Sequence, residues 1–243
     1  MKRVVIITGA SRGLGFSLAK RFLHQGDRVI GISKSRKFWK TAVKNLPSDF
    51  NFRLYQIDVT SEAEVRAFAK KIRKQFKSID ILINNAGYGG GLFRVEETSQ
   101  KEFQKNIEAN LAAAFYMSKY FIPYFRKQKK GLILNVSSMA GQRAVPKLFA
   151  YSAAKFGILA LSQAIAKENT DINLKCLTVC PGGMNTLMRR DLFGKEDAQR
   201  QQSPDFVADV MMQIIDNKIS VESGGDIVIR HGKITAIHPC PGV

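Results

Sequence analysis

Short apolar runs alternate with helical patterns along almost the whole chain, and this alternation restricts the fold more than any other feature. Strands separated by a helix cannot close a hairpin; they lie parallel, and a parallel sheet needs helices on both faces to bury it. The strand candidates are Arg3 to Thr8, Arg28 to Ile32, Asn51 to Ile57, Ile79 to Asn84, Leu132 to Ser137, Asn173 to Cys180 and Asp226 to Ile229. Between them, apolar residues recur at helical spacing over Leu14 to Gln25, Glu62 to Phe76, Gln100 to Phe115 with a continuation toward Arg126, Ala150 to Lys167, and Pro204 to Asp216. Ser61-x-x-Glu64 and Ser99-x-x-Glu102 read as capping boxes, and Ser203-Pro204 as a cap followed by proline at the first helical position. The expected fold is α/β, a doubly wound parallel sheet of about seven strands with helices on both faces, and 243 residues suit one such domain.

The first strand candidate runs into Thr8-Gly9-Ala10-Ser11-Arg12-Gly13-Leu14-Gly15 and then into a helix. Glycines in that place let the backbone turn tightly and approach a diphosphate, while the helix N-terminus supplies free N–H groups and a partial positive charge.

A second constellation lies further on. Tyr151 and Lys155 are four residues apart in Tyr151-Ser152-Ala153-Ala154-Lys155, and Ser138 stands thirteen residues before the tyrosine. On a helix that spacing puts the two side chains one turn apart on one face. A free phenol titrates near ~10, and a fixed cation nearby favours the phenolate, so the lysine is expected to lower the value for Tyr151. A phenol tuned in this way exchanges a proton with a carbonyl or alcohol oxygen.

Composition narrows the setting. Net charge is +18 and the pI is near 10, which invites a nucleic-acid reading. In Glu62 to Phe76, however, Lys70, Lys71, Arg73 and Lys74 mostly take the face opposite Val65, Phe68, Ala69, Ile72 and Phe76, as a solvated helix face does. No aromatic-interleaved basic motif accompanies the charge, so nucleic acid is not an expected partner beyond non-specific attraction. No apolar stretch is read as approaching the ~20 residues that span a bilayer, and Met1-Lys2-Arg3 with Val4 to Ile7 is read as a strand and no export signal. Cys176, Cys180 and Cys240 are an odd number without zinc-ligand spacing, which fits a reduced cytoplasmic location and no metal.

Together the TGxxxGxG spacing at 8–15, Asn84-Asn85-Ala86-Gly87, Asn110, Ser138, Tyr151-x-x-x-Lys155 and Pro181-Gly182-x-x-x-Thr186 resemble the classical short-chain dehydrogenase/reductases in order and spacing. The resemblance covers nearly the whole chain and weakens after about residue 186. It implies a single-domain Rossmann fold over 1–243, a nicotinamide dinucleotide, and hydride transfer to or from a carbonyl or secondary alcohol. It makes Tyr151 the acid/base and Ser138, of the adjacent Ser137 and Ser138, the hydroxyl that holds the substrate oxygen. Lys155 would bind the nicotinamide ribose beside Tyr151, and Asn110 would hold a water that links the lysine to solvent. Gly9, Ser11, Arg12, Gly13, Leu14 and Gly15 would cradle the diphosphate. Asn84, Ala86 and Gly87 would line the cofactor floor, Asp58 and Val59 would contact adenine, and Pro181, Gly182 and Thr186 would hold the carboxamide.

Relatives that use NAD carry an acidic residue at the end of the second strand. Here that place is Ser33, followed by Lys34 and Arg36 with Arg12 nearby, which favours NADP(H) over NAD(H). A short polar lid is expected over about 187–202, and Arg189, Arg190, Arg143 and Lys147 around the mouth allow an anionic or carrier-bound substrate. The 3-oxoacyl-carrier-protein reductases are the nearest functional template, with Arg126, Lys127, Lys129 and Lys130 as a surface for an acidic carrier, although the tail after Ile229 departs from that branch. The resemblance also implies a homodimer or homotetramer built on the Gln100 and Ala150 helices. The alternatives are a non-catalytic dinucleotide-binding redox sensor and a polyanion-binding relative.

Overall fold

In the computed structural model, which describes residues 2–44, 46–47 and 50–242, the strands are β1 Val4–Thr8, β2 Arg28–Ser33, β3 Phe52–Gln56, β4 Ile81–Asn84, β5 Lys130–Val136, β6 Asn173–Pro181, β7 Asp226–Arg230 and β8 Lys233–His238. They form one sheet in the order β3-β2-β1-β4-β5-β6-β7-β8. All neighbours are parallel except β7 and β8, which pair antiparallel. Thr8 is in register with Ile32, Asn84 with Asn135 and Val136 with Val179, so the carboxyl ends of the parallel strands share one edge of the sheet. The order reverses between β1 and β4, and that is where a crevice opens in such sheets. Met1 and Val243, the ends of the expected domain, lie outside the described residues.

The helices are α1 Gly13–His24, α2 Trp39–Lys44, α3 Glu62–Gln75, α4 Gln100–Ile107, α5 Ala113–Gln128, α6 Phe149–Glu168, α7 Leu187–Phe193, α8 Lys195–Gln199 and α9 Pro204–Ile215. The four apolar residues of β1, Val4 to Ile7, show why both faces must be covered. Val5 and Ile7 pack with Leu18 and Phe22 of α1 and Met211 of α9, whereas Val4 and Ile6 pack with Phe68 and Ile72 of α3 and Phe121 of α5. A strand buried on both faces reads as a continuous apolar run. Ser61, Ser99 and Ser203 cap α3, α4 and α9, each accepting an N–H of the first turn.

Two expectations are refined and two change. The sheet has eight strands, because His231 and Gly232, at φ 51° and 69°, make a tight reverse turn that folds the tail back as an edge strand. The helix expected from Gln100 to Phe115 and beyond is broken by a π-helical turn over Glu108–Ala112. The segment 187–202 is two short helices, α7 and α8. Finally, α6 is 20 residues long with a mean hydropathy of 1.2, enough by length and composition to cross a bilayer. Its apolarity has another cause: Ala154, Ile158, Ser162 and Ile165 are buried within the fold.

The buried layer between α3 and α5 makes a direct test of this packing. Phe121 is fully buried and its ring centroid lies 6.2 Å from that of Phe68. Phe121→Ala is expected to lower unfolding free energy by about 3–5 kcal/mol, measured by urea denaturation.

Candidate active site

The loop from β1 to α1 is a close-packed cradle. Gly9 and Gly13 adopt φ of 69° and 54°, and a Cβ on Gly15 would lie 2.3 Å from the Gly9 carbonyl oxygen. The Thr8 hydroxyl accepts the N–H groups of both Asn85 and Ala86 at 2.9 Å, and Asn85 Nδ2 donates to the Thr8 carbonyl at 2.9 Å. These bonds lock the loop to the turn after β4, at the point where strand order reverses. Leu14 is buried beneath the loop, and among the described residues no side chain caps α1, which leaves its first N–H groups open. A dinucleotide diphosphate fits this arrangement: backbone approach without side chains, and free N–H groups at a helix N-terminus.

The adjacent asparagines divide the work. Asn84 turns into the core, donating to Asn135 Oδ1 at 2.8 Å and Ser118 Oγ at 3.3 Å, so it ties strands together and does not face the cradle. Asn85 does the locking.

At the ends of β2 and β3, the Ser11 and Ser33 hydroxyls are 3.1 Å apart. Lys34 is not a free cation: its Nζ lies 2.6 Å from Asp58 Oδ2. Burial pushes the Asp58 carboxyl up, but its bonds with Lys34 and Thr60 prevail and hold it below its ordinary range. Val59 next to it is buried. Arg12 is exposed, its guanidinium 4.7 Å from the centre of the Phe38 ring, and Arg36 rests 5.2 Å over Trp39. Neither aromatic was singled out from the sequence; an aromatic pair directly after a cationic stretch was the available signal.

The centre of the site is built on β5 and α6. Ser138 is extended, and its hydroxyl accepts the Ala140 N–H at 3.1 Å, starting a 3₁₀ turn over Met139–Gly141. Ser137 instead donates its hydroxyl to the Lys155 carbonyl at 2.8 Å and is buried. Lys155 is buried; its ammonium donates to the Val136 carbonyl at 2.9 Å and lies 5.6 Å from the Tyr151 ring centre. Burial lowers Lys155 to about 8. Tyr151 moves the other way: burial raises its phenol, and a hydrogen bond with Ser138 opposes the rise. The expected lowering of Tyr151 by Lys155 is thus not what the structure gives. Desolvation outweighs the Ser138 bond, and the same burial weakens the lysine as a cation.

Asn110 sits inside the π turn, buried, with Oδ1 accepting the Tyr88 N–H at 3.1 Å and Nδ2 donating to the Tyr88 carbonyl at 2.8 Å. A Cβ on Gly87 would come within 2.8 Å of Asn110 Oδ1 and 3.7 Å of Lys155 Nζ. The glycine loop, the turn after β4, Asn110 and Lys155 are therefore contiguous. Irregular helix at such a point is common where function demands a displaced side chain.

On the remaining side, Thr186 caps α7, accepting the Arg189 N–H at 3.2 Å, and its methyl would meet a Cβ on Gly13 at 3.6 Å. Pro181 ends β6, and the Gly182 N–H donates to Ile229 at 2.8 Å. Arg189 is paired with Asp197 at 2.5 Å, while Arg190, Arg143 and Lys147 are exposed. Glu102 was expected to return to its cap; its carboxylate instead accepts from Gly91 N–H at 3.2 Å and Asn106 Nδ2 at 2.9 Å, anchoring the glycine-rich stretch. A narrow cleft runs between that stretch and Lys147 to Tyr151. The cluster Arg126 to Lys130 is far from all of this. It ends α5 and opens β5, at the opposite edge of the sheet from Ser138, and Arg126 is paired with Asp171 at 3.2 Å.

The family model described as short chain dehydrogenase matches residues 3–197. The NADPH-dependent pterin aldehyde reductase of Arabidopsis thaliana is 31% identical over 227 residues, 93% of each chain. The solved structure of ElxO with NADP bound superposes with a TM-score of 0.85 at 28% identity, covering 94% of this chain and 97% of that one. The 3-ketoacyl-(acyl-carrier-protein) reductase from Brucella melitensis complexed with NADH gives 0.85 at 25% identity, covering 93% and 96%.

The cradle is the most sharply testable part. Gly15→Ala should abolish dinucleotide binding measured by calorimetry, because its Cβ has no room against the Gly9 carbonyl; retained affinity would mean that the loop does not hold the diphosphate.

Proposed function

Since the chain belongs to the short-chain dehydrogenase family, we propose that it is an NADP(H)-dependent reductase of a small ketone or aldehyde, with Tyr151 as proton donor. The observation that carries this reading is the buried Lys155 ammonium, fixed by Val136 beside Tyr151 and Ser138 with no carboxylate among the groups that shift it. A buried, unneutralised cation is costly to maintain and marks functional sites. When bound, the dinucleotide supplies the hydride. The Tyr151 phenol, raised by burial, is protonated at neutral pH and holds the proton that a carbonyl oxygen would take. The Ser138 hydroxyl donates to the same oxygen and stabilises its developing charge. Lys155 stabilises the phenolate left behind, and Asn110 lies at the route by which that proton is replaced.

The adenosine end supports NADP(H). Relatives with NADP and with NADH share this fold, so the choice falls to the residues. Ser33 stands where NAD users carry a carboxylate, and Arg12 and Arg36 rest on aromatic rings rather than on acidic partners. Lys34 contributes less, being held by Asp58. The helices α7 and α8 serve as the lid over 187–202, with Leu192 and Met188 close against Gly89. For the 3-oxoacyl-carrier-protein reading, the expected carrier surface lies on the wrong edge of the sheet, so a free carbonyl compound is the better substrate class. Phe103, Phe115, Phe149 and Phe156 are partly exposed on the helices around α6, a surface that suits a homodimer or homotetramer.

A screen of NADPH oxidation over ketones, aldehydes and 3-oxoacyl thioesters tests the reaction, with Tyr151→Phe expected to lose at least ~100-fold in kcat. Because the folded-state lysine is depressed to about 8, its charge is present below that pH and lost above it. Reductive kcat should therefore be level below pH 8 and fall above it; a level profile to pH 10 would remove Lys155 from the mechanism. Arg12→Ala should raise the Michaelis constant for NADPH about tenfold or more while sparing NADH; equal effects on both would overturn the cofactor assignment.

A further inference from the structure

We propose that His238, Asp226 and Gln142 form a chain of positioning residues through which the C-terminal hairpin fixes the turn that presents Ser138. The inference rests on the role given to Ser138 above. Asp226 opens β7, in register with Thr178 of β6 and His238 of β8, and is buried. Its Oδ2 accepts Gln142 Nε2 at 2.6 Å and His238 Nδ1 at 2.9 Å. Gln142 directly follows the 3₁₀ turn, and its amide also lies 3.3 Å from Cys180 Sγ. Burial raises the Cys180 thiol to about 12, so it stands neutral between Gln142 and the lysine.

The turn has two ends. At the inner end, Ser137 is bonded through its N–H to Val179 at 2.8 Å and through its hydroxyl to Lys155. At the outer end the Gln142 side chain is the tie to the sheet, and the exposed residues Arg143 and Ala144 follow. A buried carboxylate is destabilising unless donors satisfy it. Gln142 supplies one, and the second comes from β8, a strand that a seven-stranded sheet would lack. The hairpin thus completes the anchor of the turn instead of merely covering an edge.

The experiment combines hydrogen exchange over the 138–143 turn with steady-state kinetics on the carbonyl substrate. Gln142→Ala and Asp226→Ala should each speed exchange of the Ala140 and Gly141 amides and lower kcat roughly tenfold, with the dinucleotide Kd unchanged. His238→Ala should act in the same direction. The isosteric exchange Gln142→Glu with Asp226→Asn, which reverses donor and acceptor, should restore both readouts, whereas Gln142→Glu alone sets two carboxylates together and should be the worst variant. Unchanged exchange in Gln142→Ala and Asp226→Ala, or no recovery in the double variant relative to Gln142→Glu, would overturn the chain. A wild-type protein that reduces no carbonyl compound would defeat the proposed reaction, and the exchange data would still decide whether the turn is held this way.

Discussion

A single buried ammonium organises the site. Moving an ammonium out of water costs several kcal/mol, and the fold offers Lys155 one acceptor, the Val136 carbonyl at the end of β5. That contact requires α6 to lie tightly on the sheet, and the residues it buries there, Ala154, Ile158, Ser162 and Ile165, leave little space between helix and strands. The same packing sets Tyr151 one turn from the lysine and brings Ser137 under the Lys155 carbonyl, so that Ser138 comes next. Apolar packing therefore holds a cation where solvent would otherwise take it. The two groups are shifted in opposite directions by one cause, burial, which disfavours the charged form of each.

Two neighbouring pairs repeat one device. In Asn84-Asn85 and in Ser137-Ser138, the first residue turns inward and binds the scaffold while the second lies on the site side. Each pair stands where a parallel strand gives way to a turn. The alternation of a strand fixes the inward member, and the break in alternation frees the next residue. Polar residues at strand ends here serve stability and function in adjacent positions.

That parity explains what could be read from the sequence. The apolar runs, the capping serines and the glycine loop are local signals, and the strands and long helices lie within a few residues of where those signals put them. Ser138 was set apart from Ser137 by the family resemblance, and the structure bonds the Ser137 hydroxyl to the Lys155 carbonyl. Asn84 was not separable from Asn85, because parity depends on where β4 ends. The π turn around Asn110 has no compositional mark; it is set by bonds to Tyr88, far away in the chain. Strand β8 was missed because an exposed edge strand needs few apolar residues, and its signal was the His231-Gly232 turn. The orientation of the Arg126 cluster follows from sheet direction, which becomes visible only once β5 is placed.

The excess of positive charge takes a different meaning from the same geometry. On α3 the lysines face solvent. Arg3 is paired with Asp27 and Asp216, Arg126 with Asp171, and Lys34 with Asp58. At the adenosine end, by contrast, Arg12 and Arg36 are set against Phe38 and Trp39. A carboxylate would fix a guanidinium and cancel its charge together. An aromatic face restrains it while leaving most of its N–H donors and its field available. The charge held in place without being neutralised is thus a small part of the total, and under the proposed function it is the part that a phosphate on the ribose would meet.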